Sequence, residues 1–83
     1  MRESYTDKIL QGVVAQLKEL RLAKGLSHET LAKKAKITRP AISHIENGKR
    51  KPSLLVCLRI AEGLDASLAV IISKAESKIK KSG

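Results

Sequence analysis

Residues 25–53 read GLSHETLAKKAKITRPAISHIENGKRKPS, and this stretch decides the fold. Ser27 is a helix-capping type of residue, and in the HETLAKKA behind it Leu31, Ala32 and Ala35 fall on one helical face. Thr38 caps a second short run, where Pro40 sits in the first turn and needs no amide partner. Ile42 and Ile45 supply the inner face of that run, and Asn47-Gly48 ends it. Only a tight turn fits between Ala35 and Thr38, so the two helices cross steeply, as in a helix-turn-helix. The small Ala32 lets the two backbones approach closely.

Working outward, Ile9, Leu10, Val13, Val14, Leu17 and Leu20 recur with a helical period. Thr6 or Asp7 serves as the cap of that first helix, and Gly25 as its stop. Downstream, Pro52-Ser53 opens a fourth helix with Leu54, Cys57, Leu58, Ala61 and Leu64 at core spacing. Ser67 caps a fifth, in which Leu68, Ile71, Ile72, Ala75 and Ile79 form one stripe. The β-branched run Val70 to Ile72 leaves an edge strand open, while the spacing of the stripe favours helix. The polar, basic segment from Glu76 to Gly83 is expected to fray. The division is an N-terminal arm over 1–8, one helical domain over 9–75 and a basic tail over 76–83.

Composition bounds the function. With 83 residues there is room for one domain and one thin aliphatic core, because the only aromatic is Tyr5. The longest uninterrupted apolar stretch, Leu68 to Ile72, is far too short to span a membrane. The N-terminus does not read as a secretory signal, and one cysteine builds no disulfide framework, so a cytoplasmic domain is expected. His28 and His44 have no Cys or carboxylate at ligand spacing, so neither a metal nor another cofactor is expected. Cys57 reads as a buried thiol acting as a small hydrophobe. The five glycines read as scattered at element ends, with no phosphate-cradling loop. No catalytic constellation appears, and single-strand binding is disfavoured because bases have no aromatics to stack on.

The net charge is +9, and residues 27–53 carry +5 of it. Lys33, Lys34, Lys36, Arg39, Lys49, Arg50 and Lys51 make up that basic third. Such a patch draws phosphate backbones and releases their counterions. On charge alone nucleic acid is the expected partner, ahead of an acidic protein or a membrane surface.

From about Leu17 to Leu68 the chain resembles the Cro/C1-type helix-turn-helix family, also called the Xre family of phage and bacterial repressors. The residues that carry the resemblance are Arg21, Gly25-Leu26-Ser27, Glu29, Leu31-Ala32, Ile37, Ile42-Ser43, Ile45-Glu46, Gly48, Pro52-Ser53 and Ile60-Ala61. It implies a compact, all-α, five-helix, lambda-repressor-like domain with its helix-turn-helix at about 28–46. It also implies double-stranded DNA as the partner, no cofactor, and an ion pair between Arg21 and Glu46. Two departures stand out. Lys36 occupies the turn where the family usually has glycine, in a left-handed position that costs a lysine about 1 kcal/mol. His28 replaces a glutamine that reaches the phosphate backbone in related repressors; neutral His28 is expected to donate one bond there, and a protonated ring to do better.

On the helical wheel of the third helix, Pro40, Ser43, His44 and Asn47 lie opposite Ala41, Ile42, Ile45 and Glu46, and Arg39 can swing to their side. Arg39 is the leading base reader, since a guanidinium pairs bidentately with guanine, with Pro40, Ser43 and His44 beside it. His28, Thr38, Asn47, Lys49 and Arg50 are expected to hold phosphates.

The expected function is a sequence-specific transcriptional regulator, a repressor, acting as a homodimer on an inverted repeat. The alternative is an antitoxin or other interaction module with a cognate toxin as partner. Leu55, Val56 and Val70 point away from the expected core and are assigned to the dimer seam. The competing seam is the first helix around Tyr5, Ile9 and Val13.

Overall fold

Every helix of this protein begins on a hydroxyl side chain. Ser4, Ser27, Thr38, Ser53 and Ser67 accept from the backbone N–H three residues on, at 3.1, 3.1, 3.3, 3.1 and 3.3 Å. Each bond satisfies a donor that the first helical turn leaves open. The helices are α1 (Tyr5–Ala23), α2 (His28–Ala35), α3 (Arg39–Glu46), α4 (Leu54–Gly63) and α5 (Leu68–Ser82). The computed structural model describes residues 4–82, with side chains through Ile79. Residues 1–3 of the expected arm and Gly83 of the expected tail lie outside the described residues.

Four helix ends share one geometry. After α1, α2, α3 and α4 the chain passes through a left-handed residue: Gly25 (φ 68°), Lys36 (59°), Gly48 (75°) and Asp65 (53°). The next N–H reaches back five residues in each case: Leu26 to Arg21, Ile37 to Ala32, Lys49 to His44 and Ala66 to Ala61, at 2.9–3.1 Å. Glycine enters this conformation freely; Lys36 and Asp65 do so at a cost of about 1 kcal/mol each.

α1 packs chiefly on α5, and α2 lies against both α3 and α4. Leu31, Ile42 and Leu64 are fully enclosed at the centre. Two contacts fix how closely the layers meet. A Cβ at Gly12 would stand 3.2 Å from the Cβ of Ala75, and one at Gly63 would stand 3.1 Å from the backbone nitrogen of Ala35. Gly12 therefore lies inside α1 for close approach to α5, not at an element end.

Several expectations are corrected. The cap of α1 is Ser4, which also receives the Asp7 carboxylate on its own N–H in a capping box, so neither Thr6 nor Asp7 is the cap residue. Leu54 and Leu58, expected in the core, are 66% and 48% exposed. The inward stripe of α4 is Cys57, Ile60, Ala61 and Leu64, spaced i, i+3, i+4, i+7. Filling that stripe turns Leu54, Leu55 and Leu58 outward, while Val56 packs against the core. The segment 68–73 is helix, and α5 continues past Glu76 to Ser82 in place of a frayed tail. Half-buried Ile79, four residues after buried Ala75, prolongs the same stripe.

Candidate nucleic-acid interface

Lys36, Ile37 and Thr38 join α2 to α3. The turn closes because Lys36 takes the left-handed conformation, with ψ 42°, and half-buried Ile37 is drawn against the core. α3 then buries Ile42 and Ile45. That leaves Arg39, Pro40 and His44 exposed, with Ser43 half-buried between them.

The polar groups around α3 are partly committed. The Thr38 hydroxyl oxygen accepts from Ala41, which leaves its proton free to donate. Asn47 Nδ2 donates to Ser43 Oγ at 3.4 Å, which joins an expected base reader to an expected phosphate group. The N–H groups of Lys49 and Arg50 both donate to the carbonyl of His44, at 2.9 and 3.2 Å. The basic loop is thereby folded back onto the end of α3, and both side chains remain exposed. Beyond it, Lys51 reaches Asp7 of α1 at 3.3 Å, a surface pair of small energetic weight. Hydrogen bonds from Ser4 and Lys51 hold the Asp7 carboxyl below its ordinary range.

Beneath this surface lies a buried cluster of charge. Arg21 Nε donates to Glu46 Oε2 at 2.7 Å and Nη2 to Oε1 at 2.9 Å, a bidentate pair. Arg21 Nη1 donates to the carbonyl of Leu26 at 2.7 Å. Glu46 is 8% exposed, so the pair is shielded from solvent. One arginine thus ties α1, the connection after it and the last turn of α3. Burial pushes the Glu46 carboxyl up, but hydrogen bonds from Arg21 and His28, and their charges, outweigh it and hold the group below its ordinary value.

The sequence reading missed one member of this cluster. His28 Nε2 lies 3.1 Å from Glu46 Oε1, so the structure brings His28 to the ion pair. No spacing in the sequence signals this contact, because the two residues meet only when α2 crosses α3. Leu55 and Val70 lie on the exposed faces of α4 and α5, Val70 at 51%, joined by Leu54 and Leu58, which the seam assignment left out. Cys57 is buried, and burial pushes its thiol up. Among the described residues, no three His, Cys, Asp or Glu side chains group as a metal site. No described helix is long and apolar enough to cross a membrane.

Two short helices across a left-handed turn, the second showing Arg39, Pro40 and His44 beside a basic loop, define a DNA-binding helix-turn-helix. The chain belongs to the helix-turn-helix family of Cro/C1 type, whose profile matches residues 17–71; it is a family of DNA-binding transcription regulators, not of enzymes. YqaF of Bacillus subtilis (strain 168), an uncharacterized HTH-type transcriptional regulator, is 50% identical over 48 residues. That match covers 58% of this chain and 63% of the relative, so the chain spans less than two thirds of that protein. Among solved structures, a single-residue variant of the restriction-modification controller protein C.Esp1396I superposes with a TM-score of 0.80. The two are 32% identical, over 96% of this chain and all of the other. The same controller, as a tetramer on its natural 35 base-pair operator, matches at TM-score 0.77 and 32% identity, over 93% of this chain and 97% of that one.

Proposed function

We propose that this protein regulates transcription by binding a specific double-stranded operator as a homodimer, in the manner of a restriction-modification controller. The observation that carries the reading is the near full-length likeness to a controller solved on its operator. The exposed side chains of α3 beside the folded-back basic loop support it. Arg39 reads a guanine, and Pro40, Ser43 and His44 complete the base-facing edge. Thr38, Asn47, Lys49, Arg50 and His28 hold phosphates and set the register without reading sequence. Leu55 and Val70 form the seam between copies, with Leu54 and Leu58 beside them; Val56, turned to the core, backs that surface. Two recognition helices about 34 Å apart then meet successive turns of one DNA face.

Selection of duplexes from a random pool, at stated salt, tests this. The expected product is an inverted repeat, bound by at least two chains. Recovery of DNA with no shared sequence would reduce the protein to a non-specific binder.

A further inference from the structure

His28 has one ring nitrogen committed and one free. A carboxylate only accepts hydrogen bonds, so the Nε2 that lies 3.1 Å from Glu46 Oε1 must carry the proton. The opposite neutral tautomer would set two acceptors against each other. Nδ1 has no hydrogen-bond partner among the described residues, yet no buried side-chain nitrogen or oxygen there is left unpartnered. Nδ1 is therefore at the surface, on a side chain 29% exposed. In the neutral ring that atom is an acceptor, which a phosphate oxygen, itself an acceptor, repels.

We infer that His28 holds a DNA phosphate only as the imidazolium, so that operator binding takes up a proton at this residue. The inference rests on the DNA-binding reading above. Its geometric support is the position of His28 at the first residue of α2. The first helix of a helix-turn-helix crosses the phosphate backbone, and helix N-termini attract anions. Glu46 of α3 faces the ring, and Arg21 of α1 shares the same Oε1. The adjacent Glu29 is exposed and paired with Lys33 at 3.7 Å. A glutamine would behave differently: its amide has two N–H donors and can serve carboxylate and phosphate together at any pH.

The test is a binding titration of the full chain on a selected duplex, at constant ionic strength, from about pH 5.5 to 8.5. Affinity is expected to fall as pH rises, by up to about ten-fold per pH unit for each His28 in the complex. His28→Gln should flatten the profile over the upper part of that range and bind at least as well at the alkaline end. His44→Gln, which alters the other histidine, should keep the slope. NMR of the wild-type rings should show the His28 titration move to higher pH when duplex is added. A flat wild-type profile with tight binding overturns the inference, as does a slope that survives His28→Gln and disappears in His44→Gln. Failure to bind any duplex at any pH is a different result: it overturns the DNA-binding reading, and this inference with it. The melting temperature of His28→Gln, expected close to wild type, separates a lost proton from a lost fold.

Discussion

The two ends of the molecule hold their working surfaces in opposite ways. At the α2–α3 end the exposed groups are polar, and a buried ion pair fixes the helix that carries them. At the α4–α5 end the exposed groups are aliphatic, and beneath them lies only the hydrophobic core. The first surface is complete within one chain: every buried polar side-chain atom in the described residues has a partner. The second shows Leu54, Leu55, Leu58 and Val70 to water. The difference teaches that a polar surface and an aliphatic one are held independently in this small fold, so under the proposed function substitutions should divide between DNA reading and self-association.

The largest effect is expected at the aliphatic end. Leu55→Glu with Val70→Glu would bury unpaired carboxylates in the seam, weakening association by upwards of about 4 kcal/mol. Sedimentation should show monomer where wild type is dimer, with the melting temperature of the monomer little changed. A double variant that still sediments as a dimer moves the seam to α1 around Tyr5, Ile9 and Val13. At the polar end, Glu46→Gln should cost about 3 kcal/mol of folding stability, because it leaves Arg21 buried without its counter-charge. Unchanged urea midpoints would show that the pair holds nothing.

The same carboxylate sets an acid limit. Its folded-state pKa lies below the unfolded value, so its contribution is complete above the ordinary carboxylate range and disappears as pH falls through the depressed value. Wild type should lose stability on acidification more steeply than Glu46→Gln, which has no such proton to take up. Next in size, Arg39→Ala should cost about 1–3 kcal/mol of DNA binding and relax preference at one guanine of each half-site. Lys49→Ala should weaken all sequences alike and flatten the salt dependence. An equal loss on every sequence from Arg39→Ala would make it a phosphate contact. The smallest effect has the opposite sign: Lys36→Gly should raise stability by about 1 kcal/mol by releasing left-handed strain. No gain would mean that the lysine stem offsets the strain through contacts of its own.

The same division governs what the sequence could disclose. Around α2 and α3 the signals are local, and they suffice. Ser27, Thr38 and Pro40 each follow from a rule spanning a few residues, and the left-handed Lys36 follows from the resemblance, which has glycine at that turn. In α4 they mislead, because seven of the first eight residues are apolar and two overlapping stripes, both containing Cys57, Ala61 and Leu64, are credible. Only the neighbours choose between them: α2 approaches Gly63 closely, and α4 buries Ile60 while Leu54 and Leu58 stay exposed. Gly12 was opaque for a similar reason, since its role depends on Ala75 across the α1–α5 contact. His28 shows the limit at the site itself. Its place in the chain gave an expectation of phosphate binding, but the contact of its ring with Glu46 is revealed only by the crossing of two helices.

The three nitrogens of Arg21 have a consequence for the thermodynamics of recognition. By gripping α3 and the Leu26 carbonyl together, they hold the helix proposed to read bases in place before any DNA arrives. Little of the ordering that usually opposes association is left for the encounter itself. Binding by such a preorganised half-site should carry only the heat-capacity change of the surface it desolvates, with no added contribution from coupled folding. Any flexibility in operator choice must then come from how two rigid halves are set relative to each other, or from the DNA bending to meet them.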